Sequence, residues 1–577
     1  MSDGRLKVAN HVAKDAPGIP VDTGRGHGVS SQKPKDEGTL TTVRDADRPL
    51  PTNPYIPSPK HHGERRQSMT ARICRSLFRT KGPSKDHEED MAVPRQPTET
   101  SPLLNGIDNS GPGPRAGLLD EWQGLTSSRR TTWQQEGNII VAYSTPLIIT
   151  FLLQYSITVT SIFAVGRIGK VELGAMSLAN ISLSITCLTP FQGLATSLDT
   201  LCAQAYGSGH KYLVGLQCQR MTAMLLFLSG PVAVLWMFSE RILAGLVPDP
   251  ETARLAAVYL RILVFAIPGI VIFETGKRFL QAQGLFRATT YILLAAAPIN
   301  VFVHWLLVWQ VGLGFVGAAL AATVTLNLLP LLLVLYVLFI GGSQCWGGLS
   351  KRAFTNWWVI IRLALPGMIM VEAEWFIFEI ITVLASRFGT EYLAAQSILS
   401  TLTSIFYQIP FPLSIAASTR VANLIGAGRV DDAKTAARVA IAAACIVALF
   451  NILINSSLRY HLPVLFTNDG DVIAIVGQTL PLVAIVQVFD GISAGAHGLL
   501  RGIGKQFIGG PVNLFAYYAI SLPISLALAF KADWKLAGMW AGIAVGLVVV
   551  SIIEYAYLLR TDWHQAVAEA EDRNEAG

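Results

Sequence analysis

Residues 372–383 read EAEWFIFEIITV, three carboxylic acids inside an otherwise apolar stretch. An ionised carboxylate near the middle of a bilayer costs on the order of 2.5–3.5 kcal/mol, so such groups face a partner, a cavity or a proton pathway. Glu372, Glu374 and Glu379 are therefore the first candidates for chemistry. Burial favours the neutral form of a carboxyl, because the charged form loses its water. A buried carboxyl can take a proton from an acidic compartment and release it to a neutral one. Ionised, it attracts a cation; protonated, it lets the cation go. Trp375, Phe376 and Phe378 add aromatic faces suited to a flat cation. On an ideal helix Glu374 and Glu379 stand about 140° apart, whereas Glu372 and Glu379 share a face. Either the helix is distorted near Pro366, or the acids have different partners.

The elements that must hold these acids are membrane helices. Of 577 residues, 51% are hydrophobic and only 15% charged, and the mean hydropathy is +0.44. Soluble chains carry nearer a quarter charged residues, roughly. Residues 1–130 depart from that average: they are rich in Pro, Gly, Ser and charge, and are predicted to be a disordered cytosolic tail. The opening MSDGRLKVAN has no apolar core of a signal peptide. The six cysteines are scattered, with no CxxC and no paired histidines, which predicts neither disulfides nor zinc. The net charge of +6 sits in the tail and short loops, as on a cytosolic face rather than a nucleic-acid surface.

After Arg130 the chain divides into twelve apolar stretches, at about 137–164, 172–199, 213–239, 252–280, 288–309, 312–340, 356–386, 391–416, 434–458, 472–501, 507–530 and 536–560. Each is long enough to cross a bilayer as a helix. Basic residues gather in alternate connections, among them Lys277, Arg278, Lys351, Arg352, Arg420 and Arg501, which predicts cytosolic termini. Pro146 recurs as Pro366, Leu173 as Leu393, Ala175 as Ala395 and Pro190-Phe191 as Pro410-Phe411, each 220 positions on. FLQAQG (279–284) matches LLRGIG (499–504) at the same offset, and TLCAQAYGSG (200–209) echoes TRVANLIGAG (419–428) one residue out of step. One offset kept across separated segments marks a duplication of six helices. Two parallel repeats around a central cleft are known among secondary transporters. The predicted fold is therefore an all-α polytopic membrane protein of twelve helices in two pseudo-symmetric lobes, 131–340 and 357–560. A linker, 341–356, joins the lobes, and a cytosolic tail, 561–577, follows them.

This duplicated core resembles the multidrug and toxic compound extrusion (MATE) family, its eukaryotic, fungal-like members in particular. The resemblance covers about 137–560 and rests on PLIITFLLQ (146–154), VGRIGKVELGAMSLAN (165–180), GLATSLDTLCAQAYGSG (193–209), EWFIFE (374–379), RVANLIGAG (420–428) and HGLLRGIGKQ (497–506). Ala422 stands where the family usually has Gly. The resemblance implies an exporter of small organic compounds, often cationic, in exchange for protons or sodium, with no cofactor. It implies that Glu374 and Asp490 are the coupling acids, with Glu379 the second Glu of the pattern and Phe376 in place of a second Trp. Gln154 is the repeat mate of Glu374, and no acid lies within 137–166, so coupling is expected through the second lobe. Glu372, Trp375 and Gln154 are candidate cavity-lining residues.

Other residues carry plainer readings. Asp199 is expected to cap or pair at the cytosolic surface, Arg420 and Arg501 to anchor loops, and His304 to make a helix–helix contact. GIGKQ (502–506) resembles a phosphate loop but lacks its first Gly and its Ser/Thr, leaving an ion gradient as the energy source. ETSPLL (99–104) fits an acidic dileucine built on Glu99, Leu103 and Leu104, a signal read by a sorting adaptor toward the vacuole, the plasma membrane being the alternative. No metal cluster or activated nucleophile points to an enzyme. A lipid-linked flippase of related fold is the competing reading, disfavoured by the scarcity of Arg and Lys inside the spans. A monomer in the lipid bilayer is expected, without nucleic-acid partners.

Overall fold

The computed structural model describes residues 130–245 and 249–576. The segment through residue 129, with the Glu99, Leu103 and Leu104 signal, lies outside them. The first lobe comprises α1 (Trp133–Gly166), α2 (Lys170–Gly207), α3 (Lys211–Met237), α4 (Pro250–Ala282), α5 (Phe286–Gln310) and α6 (Gly314–Phe339). The second comprises α7 (Trp357–Ala385), α8 (Thr390–Gly426), α9 (Val430–Ser457), α10 (Gly470–Gly502), α11 (Gln506–Lys531) and α12 (Lys535–Arg560). Among the described residues there is no strand. Eleven of these helices are long and apolar enough to span a membrane by composition. The twelfth is α7, set apart by Arg362 and its three glutamates.

The duplication extends to the devices that start and stop helices. Asp249 and Asp469, 220 apart, are the N-caps of α4 and α10, each accepting bonds from two backbone amides of the first turn. Such caps satisfy donors that a helix cannot satisfy itself. At the tight connections, Gly209 and Gly428 have φ of +86° and +71°, and Gly284 and Gly504 have +76° and +74°. That left-handed conformation is one a side chain rarely adopts, which accounts for the recurring GSG, GAG, QG and IG endings. Midway along, α2 carries a π-turn at Ser184–Leu188 just before Pro190. α8 breaks at Gln408–Ile409 just before Pro410. Proline lacks the amide that would continue the ladder.

The second and eighth helices run past the ends expected at 199 and 416, to Gly207 and Gly426. Hydropathy falls there, but protein contacts replace lipid. All of Ser197–Gly207 is buried. Thr200 Oγ1 donates to the carbonyl of Arg501, and Gln204 Nε2 donates to that of Gly502 at 3.1 Å. The polar contacts between the lobes gather at this end, which carries the basic loops, and there the lobes are closed on one another. The stretch after residue 560 contains a further helix, α13 (Trp563–Glu575), that packs beneath the same junction. The second lobe has its own core, in which Ile377 and Ile381 of α7 meet Leu480 and Val483 of α10 and Trp540 and Ile543 of α12.

Candidate functional site

A cavity of about 280 Å³ lies in the second lobe, bounded by α7, α8 and α10. α7 supplies Glu374, Trp375, Phe378, Glu379 and Thr382. At 100° per residue these positions fill an arc of about 140°, with Glu374 and Glu379 at its two edges. Both acids therefore reach one cavity from a helix that needs no distortion to present them. α8 contributes Ser397, Ser400, Thr403, Ser404 and Tyr407, the last just before the break at Gln408. Asp490 of α10 closes the far side, near enough to Glu374 for the two carboxyls to act on one another. Glu374 is 9% exposed and Asp490 3%. Asp490 Oδ1 is buried with no hydrogen-bond partner. Among the described residues no Lys or Arg lines the cavity to neutralise the acids.

The first lobe has a smaller counterpart of about 130 Å³, lined by Gln154, Ser161, Asn180 and Glu274 among others. Gln154 thus lines a cavity, but not the one that holds Glu374. Its Oε1 is buried without a partner. Glu372 lines neither cavity; its Oε1 is likewise buried without a partner, and Tyr518 of α11 is the titratable group that feels its charge. Trp375 lies in the second-lobe cavity wall with Glu374.

Arg420 and Arg501 are not loop anchors. Both lie on helices and are buried in ion pairs. Arg420 grips Glu136 of α1 through two bonds of 2.8 and 2.7 Å, with side chains 4% and 0% exposed. Arg501 lies 3.7 Å from Asp199, which also faces Arg278 at 3.4 Å. Glu274 binds Lys277 at 2.6 Å and Arg278 at 3.0 Å. His304 makes the helix–helix contact expected of it, bonded to Ser161 Oγ and to the Asn300 carbonyl, both at 2.9 Å.

Three groups escaped the sequence reading. The Glu274, Lys277 and Arg278 cluster was legible in principle, because acid and bases at i+3 and i+4 share a helix face. Glu136 and Arg420 are 284 positions apart, and nothing local links them. His497 of α10 faces Glu554 of α12, Nε2 to Oε1 at 3.2 Å. Among the described residues no group of three His, Cys, Asp or Glu could hold a metal ion.

The MatE family model matches residues 146–306 and again 366–526, the two copies lying 220 positions apart. An uncharacterized transporter of Saccharomyces cerevisiae, YDR338C, is 43% identical over 442 residues, covering 76% of this chain and 64% of its own length. The chain therefore spans under two thirds of that relative. Multidrug and toxin extrusion protein 2 of Mus musculus is 35% identical over 461 residues, 80% of each chain. Among solved structures, the eukaryotic MATE transporter AtDTX14 superposes with a TM-score of 0.73 at 29% identity, covering 77% of this chain and 99% of that one.

Proposed function

Because the chain belongs to the MatE family of multi-pass membrane transporters, we propose that it is an antiporter that expels small organic cations from the cytosol in exchange for protons. The support is the second-lobe cavity. Two buried acids, Glu374 and Asp490, share it with Trp375 and Phe378 and with no basic residue. Two carboxyls within reach of one another hold a proton between them more cheaply than two negative charges. A cation that enters needs those charges exposed, and a proton that enters removes them. The two ligands therefore exclude each other. An aromatic wall contributes to holding a cation in a site of low dielectric.

Exchange by alternating access also needs a scaffold that rocks. The lobes meet at the basic end through polar contacts of α2 with α8 and α10, and separating them would open the cavity to the cytosol. In this reading the closed basic end is the gate toward the cytosol. Location in a vacuolar or plasma membrane, a monomeric state and a sorting adaptor at Glu99, Leu103 and Leu104 complete this reading.

Sodium is the second candidate for the coupling ion. Ser397, Ser400, Thr403 and Ser404 bring hydroxyl oxygens to the same cavity as the acids, and hard cations prefer oxygen ligands. A lipid-linked flippase would need cationic groups for a phosphate, and the cavity lacks them.

Purified protein in liposomes, supplied with ethidium under an imposed pH or sodium gradient, tests the proposal. Ethidium movement should follow the pH gradient and stop in Glu374→Gln at normal protein abundance. Full gradient-driven transport by Glu374→Gln would remove that acid from the mechanism. Movement driven by sodium alone would replace the ion and leave the site.

A further inference from the structure

The second lobe holds one more buried titratable pair, away from the cavity lining. His497 and Glu554 are 5% and 0% exposed, and neither carboxylate oxygen of Glu554 has a well-formed hydrogen bond. Glu554 is packed against the backbone of α11: a Cβ on Gly509 would come within 3.2 Å of Oε1. A carboxylate so enclosed, with an imidazole as its one close ionic contact in this structure, is tolerable while the pair carries a proton. Without that proton, it is an uncompensated buried charge. The geometry thus makes a site for one proton.

Its neighbours tie it to the cavity. His497 follows Asp490 by seven residues, two turns along the same face of α10, on the side of the basic end. Glu374 of α7 and Arg501 of α10 are the next charged groups acting on His497. Tyr517 of α11 lies within electrostatic reach of Glu374, Asp490 and Glu554 together, and its hydroxyl is buried with no partner. It sits in the π-turn Phe515–Ser521, a distortion frequent at functional sites. Tyr407 of α8, Tyr555 of α12 and Cys445 of α9 complete the titratable groups nearby.

The duplication supplies an independent argument. His497 occupies the position of Lys277 in the first lobe, 220 residues earlier. There Glu274 is held by two lasting cations, Lys277 and Arg278. In the second lobe the cation is an imidazole, the side chain that changes charge near neutral pH. Gln154 and Glu374 differ in the same sense. At both repeat positions the second lobe has the member whose charge changes more readily, an acid for an amide and an imidazole for an ammonium.

We propose that His497 and Glu554 form a second proton-holding site, on the basic-end side of Glu374 and Asp490, that must be loaded for the transporter to turn over. This rests on the proton-coupled reading above. Loss of its proton would set a second negative charge behind an already acidic cavity and stop exchange. The site would then contribute one of two ionisations to the alkaline fall in rate.

The test is ethidium transport in proteoliposomes at a fixed pH difference while the absolute pH is raised on both sides. The wild type should fall by roughly a hundredfold per pH unit at its steepest, and His497→Gln/Glu554→Gln by roughly tenfold, one ionisation being gone. His497→Lys, which copies the first-lobe pair, should give the same shallower fall and serves should the double variant not fold. A merely structural pair predicts wild-type steepness in every folded variant, and that result overturns the proposal. A wild type that ignores the pH gradient would instead bring down the proton-coupled reading, and this site with it.

Discussion

Gly207 of α2 lies against the main-chain carbonyl of Asn423 on α8, and Gly426 of α8 lies in the same way against the carbonyl of Gln204 on α2. The four residues are repeat mates, so the two lobes touch through a reciprocal contact at the basic end. A Cβ at either glycine would overlap backbone, which cannot move aside as a flexible side chain can. Gly207→Ala should therefore disfavour the closed state while each lobe still folds. Thr200→Cys, at a buried α2 position whose side chain bonds the Arg501 carbonyl of the other lobe, reports this. As the sole cysteine it should react with a maleimide at least several-fold faster in the variant. Equal protection in both proteins would show that the contact does not hold the gate.

Glu136 and Arg420 also join the lobes, and the pair is deeply buried. Glu136→Gln leaves a guanidinium without its counter-charge, at a cost of about 3–5 kcal/mol. Replacing both residues by apolar groups of similar size should cost far less. Thermal unfolding of the single and double variants in detergent measures this. Additive losses would mean that the pair is not coupled.

The fold was legible because the bilayer demands long apolar helices and the duplication kept a single offset. What hydropathy could not carry was the ends. Thr200–Gly207 reads as a loop because its Thr200 and Gln204 lower the hydropathy just after Asp199, yet the opposite lobe satisfies those groups. The acids of α7 stood out by type, but the 140° between Glu374 and Glu379 reads as a separation until the width of the cavity is known. Asp490 came from the resemblance, since one acid in a long helix has no spacing to announce it. His497 and Glu554 lie on separate helices, 57 positions apart, and only packing brings them together. Arg420 and Arg501 read as loop anchors in the sequence, yet both precede the glycine turns that end their motifs, on the buried side.

Glu379 and Glu372 should separate in function. Glu379 lines the cavity and Glu372 does not. Glu379→Gln should raise the KM for ethidium by roughly tenfold, equivalent to about 1.4 kcal/mol of binding, while transport still follows the pH gradient. Glu372→Gln should leave KM within about twofold, because surface and remote substitutions that break no partner are usually worth under 0.5 kcal/mol. The same KM for both variants would contradict the cavity assignment.

Removing α13 should loosen the closed state without touching the cavity. Arg573 donates to Gln204 Oε1 at 3.0 Å and Asn574 to Ser208 Oγ at 3.1 Å, both on the end of α2. Glu569 pairs with Lys505, in the turn between α10 and α11. Trp563, Ala566 and Ala570 are buried beneath them. One short helix is thus bonded to both lobes at the end where they would part in the proposed exchange. A hydrogen bond to a charged group contributes about 1.5–3 kcal/mol, so a chain ending at Arg560 should melt several degrees lower and, carrying Thr200→Cys as its sole cysteine, label faster. Arg573→Ala should give a smaller shift in the same direction. Since no α13 residue lines the cavity, the KM for ethidium should stay near the wild-type value in both. If melting and labelling are unchanged, α13 rides on the lobes without fastening them, and closure rests on the contacts of α2 with α8 and α10 and on the Glu136 pair.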